Sequence, residues 1–104
     1  MKDAEFHPLA RAEYLEALQY YDDRSHFAAD SLRELVEENL NLISQFPEGL
    51  PLLDSLHQIR KCVLTGFPYS VLYCADADRL FVLAVMHQKR HPEYWMDRIK
   101  DIPF

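Results

Sequence analysis

The pattern of apolar and polar residues along the chain is organised around a β-hairpin in its second half. Two apolar runs, at residues 67–75 and 80–86, flank the short polar segment 76–79. Apolar runs on either side of a short turn-forming segment are typical of paired antiparallel strands. The second run is apolar on both faces, as expected for a central strand that is covered on both sides. We therefore place the centre of a sheet at this hairpin.

Two amphipathic helices are predicted ahead of the hairpin. Apolar residues recur at helical spacing from Pro8 through Tyr21 and again over residues 27–46. The segment 22–25 separates the two helices, because its Asp and Ser side chains favour caps and turns. Pro47 ends the second helix, since the residue before a proline is driven out of the α conformation. Helices joined by so short a turn form an antiparallel hairpin.

The remaining segments complete an α+β domain. Residues 3–6 are a possible first strand, and residues 58–64 form a strand that turns at Gly66 into the hairpin. Pro92 starts a short last helix in which Trp95 and Ile99 share a face. The predicted order is β-α-α-β-β-β-α. It describes a short N-terminal strand and a helical hairpin packed on a small, mainly antiparallel sheet, with a short C-terminal helix.

Length and charge narrow the class of protein. A chain of 104 residues corresponds to one domain, here residues 1–104. Residues 1–54 hold 12 acidic and 4 basic residues, whereas residues 55–104 hold 5 acidic and 7 basic residues. This distribution argues against a protein that binds nucleic acid over its whole surface, and we expect no direct binding to duplex DNA. It leaves room for a local basic patch in the C-terminal half.

The sequence also bears on location and on bound groups. No apolar run approaches the roughly 20 residues that a membrane-spanning helix needs, and the N-terminus lacks the apolar segment of a signal peptide. We therefore expect a cytoplasmic protein without membrane contact. The spacing of Cys62 and Cys74 is no zinc motif, and Gly49 and Gly66 cannot build a phosphate-binding loop. We expect no metal and no cofactor.

The two cysteines are predicted to be buried free thiols. If the segments around them pair across a tight turn at Gly66, Cys62 lies opposite a residue near Tyr69. Cys74 is then several residues away along the partner strand. A disulfide between Cys62 and Cys74 is accordingly not expected.

A cluster of basic and aromatic residues follows the second apolar run and is the first candidate site. His87, Arg90 and Tyr94 could act as general base, phosphate clamp and proton donor in RNA cleavage. The alternative is structural. In it His87 and Arg90 hydrogen-bond the ends of a strand and a helix, while Tyr94 and Trp95 fill the core beneath the last helix.

Two further groups of charged residues are candidates for a site. Arg60 and Lys61 are neighbours in a strand and point to opposite faces, so only one of them can face residues 87–94. The carboxylates Glu34, Glu37 and Glu38 lie on the polar side of the second helix without a His at ligand spacing. We interpret these three as a solvated helix face.

Short sequence matches to a known family run through nearly the whole chain, roughly residues 4–98. They comprise residues 6–13 at the start of the first helix, 20–21 at its end, 46–47, 59–60, 67–69 with Tyr73, and above all 83–95 with Asp97 and Arg98. Together these residues resemble the RelE/ParE superfamily of bacterial toxins, and they are closest to its ParE-like plasmid-stabilisation branch. The resemblance implies a RelE/ParE-like fold with the element order given above.

The resemblance also implies a function and partners. It implies the toxin half of a type II toxin–antitoxin pair, held inactive by a small antitoxin that wraps an extended or helical segment around it. RelE-like relatives cut mRNA in the ribosomal A site with several Lys and Arg residues and a C-terminal Tyr. ParE-like relatives bind and poison DNA gyrase without nuclease chemistry. The implied partners are a cognate antitoxin and either gyrase or the ribosome.

The sequence departs from the nuclease pattern of this family. Tyr94 falls near the catalytic tyrosine, and Lys61 stands for one of the strand lysines. Ser70 and Gln88 occupy positions where two arginines are expected, and Val63 occupies the position of a second strand lysine. The loss of two guanidinium groups removes much of the charge stabilisation that RNA cleavage requires. The low basicity of the chain also argues against docking on ribosomal RNA.

We therefore predict a ParE-like toxin that binds and inhibits DNA gyrase. The residues expected near the target are Arg60, Lys61, His87, Lys89, Arg90 and Tyr94. One alternative is a RelE-like, ribosome-dependent mRNA endonuclease in which His87 partly replaces the missing arginines and works with Arg90 and Tyr94. The other is a relative without toxicity that persists as an antitoxin-bound module.

Overall fold

A computed structural model describes residues 3–104 and contains the predicted α+β arrangement. The elements are β1 (Ala4–Phe6), α1 (Pro8–Asp22), α2 (His26–Gln45), β2 (Leu52–Asp54), β3 (Ile59–Val63), β4 (Tyr69–Ala75), β5 (Leu80–His87) and a 3₁₀ helix (Met96–Asp101). The helical hairpin and the three long strands are confirmed. Within residues 3–104, neither α-helix is long and apolar enough to cross a membrane.

The sheet is mixed, with β4 at its centre. Its strand order is β1-β5-β4-β3-β2. β1 pairs with β5 in parallel, and every other neighbouring pair is antiparallel. The parallel pair follows from the chain path, because the helical hairpin and three strands lie between β1 and β5. β5 is internal and buried from Leu80 to Met86, as its apolar sequence predicts.

One strand was missed, and two local predictions were wrong. β2 was not predicted, because it is a short strand at the sheet edge after Pro51 with exposed leucines and no apolar alternation. The last helix begins at Met96 as a 3₁₀ helix, and residues 92–95 form the turn before it. Cys62 lies opposite Val71, two positions beyond the expected partner. The loop after β3 is longer than a tight turn, since the Leu64 N–H donates to the Tyr69 carbonyl at 3.0 Å. Both cysteines are free and buried.

Each face of the sheet has its own apolar layer. The helices cover one face, where the buried residues are Ala10, Ala17, Leu32, Val36, Ile43, Cys62, Leu64, Val71, Tyr73, Leu80, Val82 and Val85. The C-terminal segment covers the other, where they are Ile59, Leu72, Cys74, Phe81, Leu83, Ala84, Met86 and Trp95. Trp95 therefore fills core, as the structural alternative for this residue predicts.

A β-bulge in β5 changes the direction of the backbone near the C-terminal end of this strand. Leu72 pairs with Ala84 and Tyr73 pairs with Val82, so Leu83 is an extra residue in the strand. Leu83 and Ala84 consequently both face the C-terminal layer. At the bulge, the Leu83 carbonyl accepts a hydrogen bond from the Arg98 side chain, and the Val85 N–H donates one to the Glu13 carboxylate.

Candidate functional site

His87, Arg90 and Tyr94 lie together around one cleft, at the open end of the β4–β5 hairpin. The cleft has a volume of about 240 Å³. Its other lining residues come from α1 and from the two strands: Glu13, Glu16, Ala17, Tyr20, Tyr69 and Val85. The structure thus brings the first candidate constellation to one place, between a helix and the end of the sheet.

His87 is held in place by the end of the sheet. It is the last residue of β5 and lies opposite Tyr69, whose ring meets the imidazole edge-on with centroids 5.0 Å apart. The Lys89 N–H donates to His87 Nδ1 at 3.1 Å. In the neutral ring this hydrogen bond places the proton on Nε2. His87 therefore presents a hydrogen-bond donor at its other nitrogen.

Tyr94 is fixed by a carboxylate beneath it and by a guanidinium above its ring. Its hydroxyl donates to Glu13 Oε2 at 2.8 Å. Burial raises the pKa of Tyr94, and the hydrogen bond to Glu13 raises the pKa further. The Arg90 guanidinium lies 4.0 Å from the centroid of the Tyr94 ring, within the range of a cation–π contact. The phenol is thus a neutral donor whose ring positions Arg90.

The carboxylate of Glu13 is itself held by a buried arginine. Arg98 is only 7% exposed and donates to both Glu13 oxygens at 2.9 Å. The same guanidinium donates to the Leu83 carbonyl at 3.2 Å, and the Val85 N–H donates to Glu13 Oε1 at 3.0 Å. Burial alone would lower the pKa of Arg98, but the hydrogen bond and charge of Glu13 outweigh it and the pKa is raised. This network ties α1, the bulge of β5 and the C-terminal segment together.

Glu13 and Arg98 were not predicted as site residues. Glu13 interrupts the buried side of α1 between Ala10 and Ala17, and a lone carboxylate in such a stripe was a usable signal. Arg98 likewise lies next to the apolar residues Ile99 and Ile102 of the C-terminal segment. Charged residues on an apolar side are seldom buried without a partner. A charged residue of each sign, one on the buried side of α1 and one among the apolar residues of the C-terminal segment, therefore indicates the Glu13–Arg98 pair.

The other residues predicted to contact a target lie apart from this cleft. The Arg60 guanidinium donates to the Leu50 carbonyl at 2.6 Å and lines a second cleft with Pro47 and Tyr73. Lys61 follows Arg60 in β3 and points to the opposite face of the sheet. Lys89 is exposed in the turn after β5. Of the six residues predicted to contact a target, three therefore line the cleft and three do not: Arg60, Lys61 and Lys89.

The acidic face of α2 agrees with its interpretation as solvated surface. Glu34, Glu37 and Glu38 are exposed. None of the three forms an ion pair within residues 3–104. In the same part of the chain, no group of three or more His, Cys, Asp or Glu side chains is arranged to hold a metal ion.

Replacing Tyr94 with phenylalanine tests the buried hydrogen bond. We expect the free energy of unfolding to fall by about 1–2 kcal/mol at neutral pH, because the Glu13 carboxylate loses a donor. Since the folded pKa of Tyr94 is raised, its contribution is fully present below the unfolded tyrosine value of about 10. It is lost as the pH rises towards the folded pKa.

Urea unfolding of both chains over a pH series measures this difference. The other tyrosines are common to both chains, so their titrations cancel. The difference should be constant near neutrality and should shrink above about pH 10. A difference that does not change with pH would contradict the Tyr94–Glu13 hydrogen bond.

Comparison with known proteins identifies the family of this chain. A search of the curated proteins gives no match. Among solved structures, the chain is similar to the chromosomal ParDE TA system from P. aeruginosa, with a TM-score of 0.66 and 15% identity, covering 84% of this chain and 96% of that chain. At that identity the likeness shows the fold. The family model for the ParE toxin of the type II toxin–antitoxin system, parDE, matches residues 4–92. Because this match spans most of the sequence, the chain belongs to the ParE toxin family of type II toxin–antitoxin systems.

Proposed function

We propose that this chain is a toxin that acts by binding and inhibiting DNA gyrase, with the surface around His87, Arg90 and Tyr94 facing the target. The observation that carries the proposal is the hydrogen bond from the Tyr94 hydroxyl to Glu13. It gives the cleft a fixed, preformed shape and occupies the hydroxyl that RNA cleavage would use. A cognate antitoxin is the second partner, as membership of the ParE family implies.

The state of the cleft supports binding over cutting. The Tyr94 hydroxyl is protonated near neutral pH, as in any tyrosine, and its proton is directed at Glu13. Burial and the Glu13 carboxylate raise the pKa of Tyr94, which makes ionisation of the hydroxyl harder still. The Arg98 guanidinium is engaged by Glu13 and the Leu83 carbonyl. At the two positions where the nuclease pattern has arginines, Ser70 is buried in β4 and Gln88 is an exposed turn residue. Charge stabilisation of a cleavage transition state would therefore rest on few groups.

The lining of the cleft also suits a protein partner. Tyr20, Tyr69 and Tyr94 supply aromatic walls, and Arg90 stacks on one of them. Tyrosine and arginine are enriched among the residues that dominate protein–protein binding energies. Side chains already held by stacking lose less conformational freedom when a partner binds.

Purified chain in molar excess over gyrase tests the proposal. We expect inhibition of DNA supercoiling and accumulation of cleaved DNA trapped with gyrase. Chain that has been unfolded in urea is the control and should have no effect. Unchanged supercoiling at a large excess of folded chain would contradict gyrase as the target.

The second candidate function is ribosome-dependent mRNA cleavage. It is favoured by one observation, the meeting of His87, Arg90 and Tyr94 in a single cleft. If it holds, translating ribosomes incubated with the chain will contain cut mRNA. With Tyr94→Phe the mRNA will remain intact. Intact mRNA with the native chain excludes this candidate.

A further inference from the structure

The carboxylate at the base of the cleft is already saturated with hydrogen bonds. Glu13 Oε1 accepts from the Val85 N–H at 3.0 Å and from Arg98 at 2.9 Å. Glu13 Oε2 accepts from the Tyr94 hydroxyl at 2.8 Å and from Arg98 at 2.9 Å. A carboxylate accepts about four hydrogen bonds, and the Arg98 guanidinium compensates its charge. Glu13 therefore has no free acceptor site for a ligand in the cleft.

Two hydrogen-bond donors that line the same cleft have no acceptor within residues 3–104. The Arg90 side chain stacks on the Tyr94 ring at 4.0 Å and makes no hydrogen bond or ion pair in this part of the chain. A cation–π contact uses the charge of a guanidinium but none of its N–H groups. The Nε2–H of His87 is also unpaired within these residues, because the Lys89 N–H occupies only Nδ1. The cleft therefore offers donors to an anion.

The charges around the cleft also favour an anion, although the chain as a whole has a formal net charge of −6. Arg90 lines the cleft and Lys89 adjoins it in the turn after β5. The Arg24 guanidinium lies 3.5 Å from the centroid of the Tyr20 ring, which forms another wall. Glu16 lines the cleft as well, and it forms no ion pair within residues 3–104. The positive charges outnumber this negative one, so the local field attracts an anionic group.

The walls of the cleft select a carboxylate among the possible anions. A carboxylate needs one guanidinium as its counter-charge, and the guanidinium matches its two oxygens in geometry. The rings of Tyr20, Tyr69 and Tyr94 can pack against the methylene groups of the side chain that carries it. A nucleic-acid strand would instead bring a row of phosphates against residues 1–54, which hold 12 acidic and 4 basic residues.

We propose that the cleft binds an Asp or Glu side chain of the target protein, with the carboxylate between Arg90 and the Nε2–H of His87. That this side chain belongs to gyrase rests on the proposed function, whereas the chemistry of the cleft does not. Stacking on Tyr94 orders Arg90 before the ligand arrives, which reduces the entropy lost on binding. The Glu16 carboxylate repels the ligand and limits its affinity.

Four short peptides and inorganic phosphate test the class of ligand. Three peptides have acetyl and amide ends and differ only in a central Glu, Gln or Lys. The fourth has a central Gln and a free C-terminal carboxylate. NMR titration of the full chain follows the His87 imidazole and the Arg90 guanidinium. We expect the Glu peptide to shift both signals, to bind at least about fivefold more tightly than the Gln and Lys peptides, and to weaken as salt is added.

Two substitutions with opposite expected effects locate the site. Arg90→Gln should weaken binding of the Glu peptide about fivefold, because the counter-charge is lost. Glu16→Gln should strengthen it about twofold, because the opposing charge is removed. Arg11→Gln and Glu34→Gln remove the same charges from exposed positions outside the lining and should leave binding unchanged. The amide spectrum shows whether each variant keeps its fold, and Glu16→Gln tests the site even if Arg90→Gln does not.

The results separate this proposal from gyrase inhibition. Tighter binding of the Lys peptide, or weaker binding of the Glu peptide by Glu16→Gln, would show that the cleft takes a cation and would overturn the proposal. Tighter binding of phosphate or of the peptide with a free C-terminus would overturn an acidic side chain as the ligand. None of these titrations contains gyrase, so the Glu peptide can bind when supercoiling is unaffected, and gyrase can be inhibited when the Glu peptide does not bind.

Discussion

Replacing Arg98 with alanine is expected to lower the free energy of unfolding by about 3 kcal/mol, because it leaves the Glu13 carboxylate beneath the cleft without its counter-charge. The guanidinium is 8% exposed and the carboxylate is 15% exposed in this pair. The Leu83 carbonyl at the bulge also loses its donor. Urea unfolding monitored by circular dichroism measures the change.

A second ion pair of the chain provides the matched control. Arg79 makes the same two-pronged contact with Glu5, at 2.9 and 2.8 Å, but its side chain is 40% exposed and that of Glu5 is 44% exposed. Arg79→Ala should cost clearly less than Arg98→Ala, because solvent screens an exposed pair. If the two substitutions cost the same, burial is not what makes the Arg98–Glu13 pair important.

A double substitution measures the interaction between Arg98 and Glu13 apart from their contacts with other residues. Arg98→Ala combined with Glu13→Gln should cost less than Arg98→Ala alone, since no buried charge remains and the glutamine oxygen can still accept from the Val85 N–H. The expected coupling is about 1–3 kcal/mol. Strict additivity of the two single changes would show that Glu13 and Arg98 stabilise the fold independently.

Replacing Arg90 with glutamate is expected to abolish growth arrest when the chain is produced without its antitoxin. Arg90 is exposed and stacks on Tyr94 at the cleft, where a target would meet it. Reversing a charge at an interface anchor costs about 2–4 kcal/mol of binding, which corresponds to a loss of about 30- to 1,000-fold in affinity. The free energy of unfolding should fall by only about 1 kcal/mol, the size of the lost cation–π contact with Tyr94, so loss of function would not reflect unfolding.

Arg11→Glu is the control for this change. Arg11 is an exposed arginine of α1, outside the lining of the cleft, and its replacement introduces the same change in net charge. Growth curves after induction compare the two variants with the native chain. Arrest by Arg11→Glu together with normal growth for Arg90→Glu is the expected result. If Arg90→Glu is fully toxic, the cleft is not part of the surface that contacts the target.

Sequence patterns predicted the parts of the fold that depend on local periodicity. The helical hairpin and the buried strand Leu80–His87 each carry an apolar pattern long enough to be decisive. β2 could not be found in this way, because a three-residue edge strand forms only through its pairing with β3. The register between β3 and β4 was also missed, since the length of the loop after Leu64 is set by its own hydrogen bonds.

The candidate site was predicted only where its residues are close in sequence. His87, Arg90 and Tyr94 are near one another in sequence, and a turn suffices to bring them together. The Glu13–Arg98 pair joins residues 85 positions apart, so only the packing of α1 against β5 and the C-terminal segment creates it. Arg60 was expected near the target from its position in a strand, and its guanidinium donates to the Leu50 carbonyl, outside the lining of the cleft.

Titration calorimetry of the purified chain into reconstituted DNA gyrase tests the central claim most directly. We expect saturable binding by the native chain, similar binding by Arg11→Glu, and binding by Arg90→Glu that is weaker by about 30-fold or more. If the native chain gives no heat of binding at concentrations that are fully effective in an independent assay of toxicity, gyrase is not its target. If Arg90→Glu binds as tightly as the native chain, the toxin does not act on gyrase through this cleft.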